Sequence, residues 1–66
     1  MKDKVTIARM DPRVNLLLFG TAPGGAKDPS LSMNWSATIT YTPKTLRERC
    51  GMTDKQILEL FPELAD

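Results

Sequence analysis

Trp35, Ala37, Ile39 and Tyr41 alternate with Ser36, Thr38 and Thr40. A period of two sends one set into a core and the other into water, so residues 35–41 are predicted to form a strand with one solvated face. Sheets of that kind are normally antiparallel. Two apolar stretches precede this one. Val5 to Ala8 is short, carries β-branched residues and predicts an edge strand. Met10-Asp11-Pro12-Arg13 reads as a turn, with proline presetting φ at its second position. The near-continuous apolar run Val14 to Phe19 then predicts a central strand. Beyond it, Gly20, Pro23, Gly24, Gly25 and Pro29 interrupt any regular element and mark a loop over 20–33. That is long for so short a chain, and loops of such length are usually functional or disordered.

The last third carries explicit helix signals. Thr42 is placed to cap a helix whose first residue is Pro43, where the missing N–H costs nothing. Tyr41 and Leu46 have the spacing of a hydrophobic staple, and Gly51 supplies the stop. Thr53 and Gln56 have the spacing of a capping box, Asp54 suits the positive end of a second helix, and Met52 with Ile57 forms its staple. Ile57, Leu60, Phe61 and Leu64 follow helical spacing, with Pro62 ending regular structure near Phe61. The expected fold is α+β: one domain over 1–66, a small antiparallel sheet of two to three strands within 4–41, and a C-terminal helical hairpin over 42–61 packed on one face.

Composition narrows the chemistry. A chain of 66 residues builds a marginal core unless something reinforces it. Cys50 is the only cysteine, so no internal disulfide can form, and there is no histidine to bind a metal or act as a base. No metal, cofactor or catalytic residue is expected. Cys50 lies at a helix C-terminus, where thiol pKa values rise, and is read as a core residue. A lone cysteine fits a reducing compartment, and the charged Met1-Lys2-Asp3-Lys4 is followed by no long apolar region; a cytoplasmic location is expected. The formal net charge is only +1, unevenly spread. Residues 1–33 hold five cations against three carboxylates, whereas residues 54–66 hold Lys55 against Asp54, Glu59, Glu63 and Asp66.

Two local patterns invite specific readings. Leu46 to Ile57 resembles the helix-turn-helix of transcriptional repressors, with Gly51 at the turn, Met52 at its apolar position, and Leu46, Cys50, Ile57 and Leu60 at core positions. The resemblance implies a dimeric DNA binder using Lys44, Arg47, Arg49, Lys55 and Gln56. Arg47 departs from the pattern, standing where a small apolar residue normally lets the helices approach. The would-be recognition helix is short, with Lys55 its only cation, a thin supply for phosphate contacts. Packing of a helical hairpin onto the sheet is the preferred use of these residues. Gly20 to Asp28 follows an apolar run and ends near a lysine, as a phosphate-binding loop would. Its spacing fails, because Ala26 separates Lys27 from the second glycine, Asp28 replaces the magnesium-binding hydroxyl, and Pro29 obstructs the helix. Nucleotide hydrolysis is rejected.

What remains is binding. Trp35, Tyr41, Phe19 and Phe61 all have core roles available, which disfavours a single-stranded nucleic-acid platform. The expected function is a non-enzymatic accessory or inhibitor protein docking on a larger host protein or nucleoprotein complex. In size and in its lack of catalytic groups the chain is similar to small proteins that phages and mobile elements use against host machinery, such as CRISPR effectors or RNA polymerase. The expected partner contacts are Lys27 and Asp28 in the loop, Arg9 and Arg13 in the N-terminal part, and Glu59 and Glu63 at the acidic end. Self-association as a homodimer is the further expectation for so small a core.

Overall fold

Val5 and Ile7 on one strand and Ile39 and Tyr41 on another turn their side chains inward, while Thr6, Ala8, Thr38 and Thr40 face water. The computed structural model describes residues 1–66. In chain order it contains strand β1 (Val5–Ala8), helix α1 (Pro12–Phe19), strand β2 (Thr38–Tyr41), helix α2 (Pro43–Glu48) and helix α3 (Asp54–Leu60). Three single turns of 3-10 helix, Pro23–Gly25, Pro29–Ser32 and Pro62–Leu64, join or end them. β1 and β2 pair antiparallel, with Val5 opposite Tyr41 and Ala8 opposite Thr38. On the wet face the Oγ1 atoms of Thr6 and Thr40 lie 2.9 Å apart in a cross-strand hydrogen bond. The α+β class is as expected, but the sheet has two strands.

The missing strand is α1. Asp11 caps it, accepting the Arg13 N–H at 2.9 Å; Pro12 fills the first helical position; Gly20 ends it with a left-handed φ of 75°. These are complete start and stop signals. They decide a sequence whose apolar run is too continuous to show a period. Wrapped as a helix, the run buries Val14 and Leu17, half-buries Leu16 and Leu18, and leaves Phe19 exposed rather than in the core.

The 20–33 segment is not an open loop. Ala22, Ala26 and Leu31 are buried, Ala22 and Ala26 form an isolated bridge, and the Asp28 N–H donates to the Leu17 carbonyl at 2.9 Å. The segment is laid along α1 and closes one side of the core. The helical hairpin forms as expected. Thr42 and Thr53 cap α2 and α3, the Thr53–Gln56 capping box is complete, and Leu46, Met52 and Ile57 are buried. α3 ends at Leu60, and Pro62 starts a further turn that buries Leu64. Strands, helices and turns meet in one cluster of sixteen buried side chains, with Leu17, Tyr41, Leu46, Ile57, Phe61 and Leu64 wholly inaccessible.

Candidate functional site

The expected contact residues divide into those the fold has already used and those it leaves free. Asp28 belongs to the first group. Its side chain is buried and collects every strong donor nearby: the Tyr41 hydroxyl at 2.6 Å, the Ser30 hydroxyl at 2.7 Å and N–H at 3.0 Å, and the Arg49 guanidinium at 3.0 Å. Burial works to raise the Asp28 pKa, but the bonds from Tyr41 and Ser30 and the Arg49 charge outweigh it and hold the carboxyl below its usual range. Burial, reinforced by the Asp28 charge, pushes Tyr41 well above an ordinary phenol and Cys50 up to about 11. The result is a joint between the loop, β2 and the end of α2, facing inward. Cys50 is buried and strongly protonated, as a core thiol.

Arg13 is also committed. It forms a two-pronged pair with Glu63, both bonds 2.8 Å, contacts Asp11 at 2.9 and 3.1 Å, donates to the Leu60 carbonyl at 3.0 Å and lies over the Phe61 ring. Its hydrogen bonds hold Glu63 and Asp11 below their usual pKa. At the acidic end, Asp54 pairs with Arg47 and Asp66 with the N-terminal amine. Only Glu59 of its four carboxylates stands outside an ion pair, so the negative patch expected there is largely neutralised. Lys27 is exposed beside a cleft of about 330 Å³ that Leu18, Asp28, Pro29 and Ser32 also line.

The residues of the helix-turn-helix reading are similarly spent. Arg49 is tied to Asp28 and Arg47 to Asp54. Gln56 closes the capping box and packs on Gly24 so tightly that a Cβ there would fall 2.3 Å from its amide nitrogen. Lys44 and Lys55 are exposed and outside any ion pair.

One surface feature went unread in the sequence. Trp35 is 82% exposed, Met10 88% and Met33 84%, the three most exposed large apolar side chains of the molecule. Arg9 gathers them. Its backbone N–H continues the sheet to the Ala37 carbonyl at 2.8 Å, after which the chain turns away through Met10, closed by the Asp11 N–H on the Ala8 carbonyl at 3.0 Å. Its guanidinium crosses to the 31–35 segment, donates to the carbonyls of Asn34 and Leu31, and lies 5.3 Å from the centre of the Trp35 ring. The Asn34 side chain accepts the Ser36 N–H at 3.0 Å, a local turn with Trp35 at its apex. Because β1 ends at Ala8, no strand lies opposite residue 35, and the indole is presented to solvent. The alternation therefore holds only from Thr38 to Tyr41, and the expected burial of Trp35 is overturned.

No protein-family model, curated protein or solved structure matches the chain. No helix is long and apolar enough to cross a membrane, and no group of acidic or sulfur ligands is placed to hold a metal ion.

Proposed function

We propose that this chain is a non-enzymatic accessory or inhibitor protein that docks on a larger protein or nucleoprotein machine, and that the Arg9–Met10–Met33–Trp35 surface is the docking face. One observation carries the reading: the sole tryptophan stands 82% exposed and braced by an arginine, with two bare methionines on the adjoining segments. Single exposed apolar residues need no explanation, but a cluster of large ones does. Tryptophan, methionine and arginine are the residue types enriched at protein interfaces, and tryptophan and arginine supply the largest share of binding energy there. Methionine adds a flexible surface that moulds to its target. The remainder of the chain supports this as scaffold, since no buried side-chain polar atom lacks a hydrogen-bond partner.

The test is a paired capture from lysate of the source cells, with tagged wild-type protein and Trp35→Ala side by side. The reading expects a protein retained by the wild type and lost from Trp35→Ala, while circular dichroism shows both folded. Equal retention by both would refute the docking face, and retention of DNA that falls steeply with salt and depends on Lys44 and Lys55 would refute the reading in favour of a helix-turn-helix surface.

A further inference from the structure

Arg9 is the one arginine without a carboxylate. Arg13, Arg47 and Arg49 each meet an Asp or Glu within 3.0 Å, whereas Arg9 is held only by two backbone carbonyls and the face of an indole. A guanidinium carries five N–H donors in a rigid fork. Two are engaged with Asn34 and Leu31, so three remain. The carbonyls orient the group but bring no opposing charge. Partial burial against Trp35 also removes some of the water that would otherwise stabilise it. A charge so placed, rigid and with spare donors, is complementary to a planar two-oxygen anion.

From this, and resting on the docking reading above, we infer that Arg9 is a preformed carboxylate receptor and that the partner presents an Asp or Glu flanked by apolar side chains. The carboxylate takes the free edge of the guanidinium, and the flanking groups cover Trp35, Met10 and Met33. The bare methionines of the adjoining segments favour apolar protein side chains over nucleobases, and a single cation offers little to a phosphate backbone. The arrangement is that of an interface hot spot: an arginine fixed before the partner arrives, against an exposed indole, loses little conformational freedom on binding.

The probe is a random twelve-residue peptide library displayed on phage, selected against the full chain. One enriched sequence is then synthesised with a fluorescent label and titrated by anisotropy. Expected are sequences with an acidic residue next to aromatic or aliphatic ones, and binding weakened about ten- to a hundredfold by Arg9→Gln, as for loss of a charge-assisted pair. Should Arg9→Gln disturb the 31–34 segment, changing the peptide decides. Wild-type protein is expected to bind the same peptide about ten- to a hundredfold more weakly when its acid is replaced by the corresponding amide, and equal binding of the two peptides overturns the carboxylate inference. Apolar sequences without an acid, bound through Trp35 but indifferent to Arg9→Gln, overturn the carboxylate inference and leave the docking reading standing. Failure of any peptide to bind in a Trp35-dependent manner overturns both. So does tighter Trp35-dependent binding of a labelled single-stranded oligonucleotide than of the peptide.

Discussion

Changing Asp28 to asparagine keeps the size of the side chain and removes its charge, at the one place where loop, sheet and hairpin share a polar contact. The carboxylate is 1% exposed and accepts from Tyr41, Ser30 and Arg49. An amide there can still accept one bond but must turn its NH₂ toward Arg49 or the Tyr41 hydroxyl, which then lacks an acceptor. Breaking one side of a buried ion pair costs about 3–5 kcal/mol. The Arg49 side chain is 37% exposed, so water takes up part of its charge and the lower end applies. Asp28→Asn is expected to cost on the order of 2 kcal/mol and Asp28→Ala about 3 kcal/mol. Tyr41→Phe, which deletes one donor, is expected to cost about 1–2 kcal/mol. A chain of this length has roughly 3–10 kcal/mol in total, so Asp28→Ala should be close to unfolding. Urea denaturation followed by far-ultraviolet circular dichroism measures these differences, Trp35 being too exposed to report on the core. Stabilities of both Asp28 variants within about 0.5 kcal/mol of wild type, the range of ordinary surface changes, would refute the assignment of Asp28 as an internal joint.

Other outcomes follow from the same structure. Asp11, Asp28 and Glu63 are held below their usual values, so their contribution is fully present above the unfolded values of 3.8 and 4.5 and is lost as pH falls through the folded ones; the urea midpoint should stay level from neutrality to about pH 5 and drop below about pH 4. Tyr41 and Cys50 are shifted upward, so the unfolded chain releases their protons first. Stability should fall as pH rises through 9 to 11, with Cys50→Ala removing on the order of 2–3 kcal/mol of that alkaline loss. Leu17→Ala, at a wholly buried position of α1, should cost about 2–5 kcal/mol in the same assay; a loss under about 1 kcal/mol would contradict the packing of α1 into the core. Trp35→Ala should leave thermal stability nearly unchanged, whereas a large drop in melting temperature would place the indole in the core.

The hairpin was legible because its signals are local: capping residues, a proline at the first position and paired apolar staples act within a few residues. The strand from Thr38 to Tyr41 was legible for the same reason. α1 was readable in principle, since Asp11, Pro12 and Gly20 mark both ends, but four consecutive apolar residues carry no period, and leucine suits a helix as well as a strand core. Trp35 could not be placed from its own alternation. Its exposure depends on where β1 stops and on an Asn34 turn, which is tertiary information. Charge misled in a similar way: the acidic run after residue 54 is real in sequence, yet Arg13, Arg47 and the N-terminal amine reach it from distant positions and neutralise most of it. The sign of Arg9 marks it in the sequence as a contact residue; only the structure shows that it is the arginine left unpaired.

A docking face built on Trp35 requires the indole to be bare in the free protein and covered in the complex. Acrylamide quenching of its fluorescence tests both, because the chain has no other tryptophan. The free protein should be quenched nearly as efficiently as an unstructured tryptophan peptide, and saturation with the captured partner should protect the indole and shift its emission to the blue. Weak quenching in the free protein, or quenching unchanged by the partner, would contradict the docking face.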